Sequence, residues 1–278
     1  MAKQKNRPED ALPNQDALQR DLMRAASDAN NRYAVNFKIS PTNLAKDVQA
    51  GSGSLLEHRG RLYVLTCAHV AVPFLKADNI VPHADRSRPA LGIIEKSNMF
   101  LDPARVLLNE KEDIALIEIK DRQKVRGPGP FLTMEDILII DDFRKIPNDD
   151  RGFIMLGNPA EGARLVQGIG QVGIDFPQEP FLTIRHVARN NRKGYLYLQY
   201  PKGEDVHLHD AISGNSAKAP LHHSRGYSGG TVRMVPHFRA DGSIWSFVRD
   251  TKIVAITESL KGKVARCAPL HMLKSWLT

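Results

Sequence analysis

Short apolar runs bounded by Gly, Pro, Asn or Asp dominate this chain, and only its two ends show the three-to-four spacing of an amphipathic helix. Near the start, Leu18, Leu22, Met23 and Ala26 recur with charges between them and predict a helix from Asn14 to about Ala26. That helix either lies on the body of the protein or docks another protein. Residues 1 to about 13 are polar, include Pro8 and Pro13, and are expected to form a mobile tail. The run from Val48 to Thr66 predicts a hairpin turning near Arg59-Gly60, followed by strands over 91–94, 104–108 and 114–119. Arg126-Gly127-Pro128-Gly129-Pro130 and Pro147-Asn148-Asp149-Asp150 punctuate the middle. Beyond them, strands are predicted to begin at Gly152 and to follow over 163–172, 183–187, 195–200, 230–235, 244–248 and 253–257. Pro269 to Leu277 closes the chain as a short amphipathic helix. Many short strands and few long helices indicate an all-β chain of closed or sandwiched sheets.

Three stretches carry candidate chemistry. Arg225-Gly226-Tyr227-Ser228-Gly229-Gly230 places a serine among glycines, as a backbone needs if it is to turn sharply, expose a hydroxyl and aim its N–H groups at one point. Ordinary turns look the same. However, Arg61 to Val70 reads as a strand ending on Thr66-Cys67-Ala68-His69, and Glu112-Asp113-Ile114-Ala115-Leu116 as another with an aspartate at its mouth. The three stretches resemble the signatures of the chymotrypsin/trypsin-like serine proteases, in that family's order of His, Asp and Ser.

The resemblance, which spans roughly residues 48 to 278, implies two packed antiparallel six-stranded β-barrels, with a short N-terminal helical extension and a C-terminal helix. The implied division is an extension over 1–47, a first barrel with His69 and Asp113 over 48–146, and a second barrel with Ser228 over 147–278. It also implies a serine endopeptidase in which His69 takes the proton of Ser228, Asp113 orients the imidazole, and the N–H groups of Gly226 and Ser228 form the oxyanion hole. His222 and the wall Thr257, Glu258 and Ser259 would line the primary pocket. A histidine there favours an acidic side chain and a buried glutamate favours Lys or Arg, and the sequence leaves that choice open. Thr257 either bonds Asp113 from behind or is a plain core threonine.

There are departures from the trypsin branch. The residue before the nucleophile is Tyr227 where that branch carries an aspartate, so activation by a newly cut N-terminus is not expected; the sequence more nearly resembles the bacterial high-temperature-requirement and glutamyl-endopeptidase types. The oxyanion loop then forms unaided, or an activating partner protein or the N-terminal segment orders it.

Composition narrows the setting. The 278 residues, 42% hydrophobic and 25% charged, suit a globular chain. No apolar run approaches the ~18 residues of a membrane helix, and the start lacks a signal-peptide core, so a cytoplasmic chain with no membrane partner is expected, while a bacterial enzyme is what the resemblance implies. Nothing requires the two cysteines, Cys67 and Cys267, to pair, consistent with a reducing compartment, and Cys67 is read as a small core filler. The net charge of +8 lies in the second half: residues 185–278 hold 15 Lys and Arg against 6 Asp and Glu. Its densest cluster, Arg185 to Lys193, is short and without a recognisable nucleic-acid motif, so nucleic acid is not expected as a partner. His207, His209, His222 and His223 lack companion ligands at a compelling spacing, so no metal and no cofactor is expected. The partner expected is a protein or peptide substrate. The alternative is a latent or inactive protease fold that binds protein or nucleic acid.

Overall fold

A computed structural model describes residues 15–30, 32–39, 49–77, 90–93, 96–100, 103–120, 125, 131–146, 152–158, 164–168, 171–175, 180–184, 194–200, 205–209, 216–220, 226–235 and 250–278. The tail over 1–13, both linker motifs except their flanks, the Arg185 cluster, the strand expected over 244–248, and His222 lie outside the described residues.

The fold is mostly β, with two antiparallel sheets, one of them barrel-like, and few helices. The first half contributes β1 (Ala34–Ile39), β2 (Gln49–His58), β3 (Arg61–Thr66), β4 (Ala90–Ile93), β5 (Lys96–Phe100), β6 (Pro103–Asn109) and β7 (Ile114–Ile119). They pair in the order β5-β4-β1-β2-β3-β7-β6, seven strands where six were expected. The additional strand is β1, which sits inside the segment read as an extension yet pairs with β2 and β4. Its signal was weak because Ala34, Val35, Asn36 and Phe37 are all buried, so polar and apolar positions do not alternate as on a half-exposed strand.

The hairpin β2–β3 turns where expected. Arg59 and Gly60 both take positive φ, 48° and 76°, and His58 faces Arg61 across the two-residue loop, the geometry that matches the right-handed twist of the flanking strands.

The second half builds a six-stranded sheet in the order β11-β8-β15-β16-β17-β12 from β8 (Gly152–Met155), β11 (Phe181–Ile184), β12 (Leu196–Gln199), β15 (Thr231–Met234), β16 (Lys252–Lys261) and β17 (Val264–Pro269). The single run expected over 163–172 is instead part of a separate hairpin, β9 (Arg164–Gly168) and β10 (Gln171–Asp175). A second two-stranded ribbon joins β13 (Asp205–His209) and β14 (Ser216–Pro220).

Helix α1 (Gln15–Asn30) buries Leu22, Met23, Ala26 and Ala29 against Ile154, Leu156 and Val235 of the second half, so its apolar face is already occupied. In the first half, α2 (Ala68–Ala77) follows β3 directly and contacts β1, β2 and β7. The terminal helix α3 (Met272–Trp276) belongs to both halves: Leu273 and Leu277 join the core built on β2, β3 and β7, together with Ile253 and Ile256 of β16. A second core gathers Phe153, Leu196, Leu198, Tyr200, Tyr227 and Val254. Among the described residues, no helix is long and apolar enough to cross a membrane.

Candidate active site

Strand β3 runs through buried Leu62, Val64 and Leu65 and ends at Thr66, so the chain leaves the sheet with Cys67 buried and His69 in the first turn of α2. Asp113 closes the turn before β7, which pairs with β3. It has φ 53°, a left-handed conformation that a short polar side chain tolerates better than most. Two contacts join residues 44 apart in sequence: the His69 backbone N–H donates to Asp113 Oδ1 at 2.9 Å, and His69 Nδ1 lies 2.6 Å from Asp113 Oδ2. The carboxylate therefore fixes both the position and the tautomer of the ring, and leaves Nε2 as the nitrogen able to take a proton. The hydrogen bond that His69 donates to Asp113 raises its proton affinity, burial opposes it, and the charges of Asp113 and Glu258 add to the rise.

The serine arrives from the other half on a loop held by backbone bonds. Gly229 N–H donates to the Thr257 carbonyl at 2.8 Å, Gly230 N–H to that of Tyr227 at 2.9 Å, and Thr257 N–H to that of Gly230 at 2.8 Å. Gly229 has φ 87°, and a Cβ there would stand 1.9 Å from the Ser52 carbonyl oxygen and 2.3 Å from Thr66 Oγ1; only glycine fits. Among the described residues, no acceptor takes the backbone N–H of Gly226 or Ser228. Tyr227 is fully buried in the second core, its ring edge-on to Tyr200 with centroids 6.5 Å apart. Packing thus anchors the loop at the residue before Ser228.

Ser52, which the sequence reading did not single out, ties this loop to the first half. Its N–H donates to the Ser228 carbonyl at 2.7 Å, its Oγ donates to the Gly226 carbonyl at 2.5 Å, and it accepts from Asn158 N–H at 3.0 Å. Thr66 Oγ1 in turn donates to the Ser52 carbonyl at 2.7 Å. The Ser228 loop is therefore linked through Ser52 of β2 to Thr66, at the end of the strand that leads to His69. The only hint in the sequence was the small-residue alternation Gly51-Ser52-Gly53-Ser54 in β2.

The Ser228 hydroxyl donates to the Glu258 carbonyl at 3.0 Å, and among the described residues it makes no hydrogen bond to His69. Hydrogen bonds between a nucleophile and its base are often long or misaligned in unliganded enzymes. That carbonyl is free to accept because the register of β16 on β17 slips between Thr257 and Ser259, leaving Glu258 as the extra residue of a bulge.

The Glu258 side chain beside this bulge is buried. Its carboxylate accepts from Arg266 Nη2, and Arg266 stacks 5.1 Å above the Tyr195 ring centroid. Glu258 is thus engaged in an ion pair instead of standing free to meet a substrate side chain. Burial raises its proton affinity, partly offset by Arg266. Thr257 is buried and its hydroxyl makes no hydrogen bond, so of its two readings the core threonine stands and the bond to Asp113 does not. Ser259 is half-buried and faces Arg266 in the strand register. Cys67 and Cys267 are buried free thiols, both pushed up by desolvation and so poor nucleophiles.

Cys67, His69 and Asp113 bring potential ligand atoms within 4.8 Å of one another, but the short His69–Asp113 bond occupies two of them and the thiol is held protonated. The set fits a hydrogen-bonded couple better than a metal site.

The Asp113 turn is braced from the second half. Tyr195 Oη donates to the Lys111 carbonyl at 3.2 Å, and His271, at the start of α3, approaches Glu112 to 2.9 Å without the angle of a hydrogen bond.

No protein-family model matches the sequence, and no curated protein does. Among solved structures, the chain is similar to the crystal structure of the Rv3671c protease from M. tuberculosis in its active form, with a TM-score of 0.45 and 12% identity over 100% of this chain and 92% of that one.

Proposed function

We propose that the chain is a serine endopeptidase that cleaves protein substrates through Ser228, His69 and Asp113. The observation that carries this reading is the 2.6 Å His69–Asp113 contact on one half, bonded through Ser52 to the glycine-framed Ser228 loop of the other. A buried or half-exposed Asp–His contact alone is common; one laced to a glycine-framed serine loop across two sheets answers the specific needs of acyl transfer.

In this mechanism Ser228 Oγ rotates from the Glu258 carbonyl to His69 Nε2, which takes its proton as the oxygen attacks the scissile carbonyl. The Gly226 and Ser228 N–H groups stabilise the oxyanion, a contribution of about 3–4 kcal/mol per donor. His69 then protonates the departing amine, leaving an ester on Ser228. Water, deprotonated by the same nitrogen, releases the acid and restores the hydroxyl. Asp113 holds the imidazole throughout and stabilises its charge.

The internal contacts of residues 226–230 support a loop that forms unaided over one that waits for an activating partner. The direction of the Ser228 hydroxyl favours one alternative, a latent site in which that rotamer is locked. Digestion of a denatured protein mixture, with new N-termini read by mass spectrometry, separates the two. Cleavage by the wild type and not by Ser228→Ala supports the endopeptidase; no cleavage by the folded wild type supports the latent site. The same cleavage map reports the primary specificity, for which the engagement of Glu258 with Arg266 argues against recognition of Lys or Arg by that carboxylate.

A further inference from the structure

The buried ion pair at the β16 bulge has no task in acyl transfer as described. Arg266 reaches only Glu258 Oε1; Oε2 is buried with no hydrogen-bond partner. A pair serving stability alone gains most when the guanidinium forks onto both oxygens, and a buried carboxylate oxygen left bare is costly. The pair also sits against the couple that would act as base. The Glu258 carbonyl holds the Ser228 hydroxyl, the adjacent Thr257 carbonyl accepts from Cys67 Sγ at 3.2 Å, and that sulfur lies within 4.8 Å of the ligand atoms of His69 and Asp113.

We propose that Glu258, anchored by Arg266, is a positioning residue that supplies a second buried negative charge to the imidazole which the reaction protonates. The inference rests on the reading of His69 as the general base. The charged and titratable groups facing Glu258 are Arg266 from β17, Asp113 from the turn before β7, His69 from α2, Cys67 ahead of α2, Cys267 from β17 and Tyr195 ahead of β12. Of these, only Arg266 carries a permanent positive charge. Its hydrogen bond and its charge oppose the desolvation that favours the neutral acid.

The test is an NMR titration of the His69 ring, assigned by its loss in His69→Gln, in the wild type, Glu258→Gln and the double variant Glu258→Gln/Arg266→Gln. Fluorophosphonate labelling is measured against pH in parallel. Removing the carboxylate alone leaves the guanidinium unbalanced, so the His69 midpoint falls furthest in the single variant; the double variant lies between it and the wild type. A charge well screened by its surroundings corresponds to a labelling rate below the midpoint about two- to threefold higher, relative to each protein's own plateau. Equal midpoints in all three proteins, with amide spectra showing an intact fold, would overturn the proposal. So would a lower plateau with an unmoved midpoint, which is the behaviour of a merely structural pair. If the wild type labels at no pH, the endopeptidase reading fails, while the ordering of the three NMR midpoints still decides the role of Glu258.

Discussion

Replacing Ser52 by alanine removes one hydroxyl that serves two halves of the molecule. Ser52 is 1% exposed, its Oγ donates to the Gly226 carbonyl at 2.5 Å, and it accepts from the Asn158 N–H at 3.0 Å. The variant leaves a buried carbonyl and a buried amide without these partners, each costing about 1–3 kcal/mol. The void is too small to admit much relaxation, so the expected loss is about 2–4 kcal/mol, read as a lower urea midpoint and a melting temperature reduced by roughly 5–10 °C. Activity should fall separately from stability, because the Gly226 carbonyl belongs to the loop that aims the candidate oxyanion donors. Labelling by a fluorophosphonate, measured well below the melting point, should slow about tenfold to a hundredfold. The parallel change Thr66→Val removes only the donor to the Ser52 carbonyl and should cost about 1 kcal/mol. A Ser52→Ala protein within ~0.5 kcal/mol of wild type and labelling at its rate would refute the claim that Ser52 holds the loop in place.

Three further outcomes follow from the same geometry. Gly229→Ala places a Cβ 1.9 Å from the Ser52 carbonyl at a positive φ, so the protein should express poorly or lose the loop, seen as proteolytic nicking near residue 229 and no labelling. Tyr227→Ala empties a fully buried ring site and should destabilise by about 3–5 kcal/mol in denaturant unfolding, with labelling abolished even where the fold survives. The proton affinity of His69 is raised in the folded state, so the stability contributed by the His69–Asp113 pair is fully present below the ordinary imidazole value and is lost as pH rises through the raised folded value. The difference in melting temperature between wild type and Asp113→Asn should therefore shrink from mildly acidic toward alkaline pH, and a difference that grows along that path would contradict the assignment.

What the sequence made legible were the local signals. His69, Asp113 and Ser228 each sit at a strand mouth or tight turn whose residues announce it, and Arg59-Gly60 specified its hairpin. The contacts that assemble the site were hidden, because they join positions far apart: Ser52 meets Gly226 across 174 residues, and Cys67 meets the Thr257 carbonyl across 190. A serine in a glycine-rich strand carries no mark of the loop it will bind. Strand β1 escaped notice because both its faces are buried, and β17 because Val264–Pro269 mixes small, charged and apolar residues without a period. The slip of register beside Glu258 was hidden as well, because a one-residue bulge leaves the composition of the strand unchanged.

The central claim, that Ser228 is a nucleophile activated by His69, is tested most directly by treating the purified protein with a fluorophosphonate and mapping the adduct by peptide mass spectrometry, beside Ser228→Ala and His69→Ala. The account predicts one adduct, on Ser228, in the wild type, and none in either variant. An adduct elsewhere, an adduct that persists in His69→Ala at the wild-type rate, or a folded wild-type protein that never reacts would contradict it.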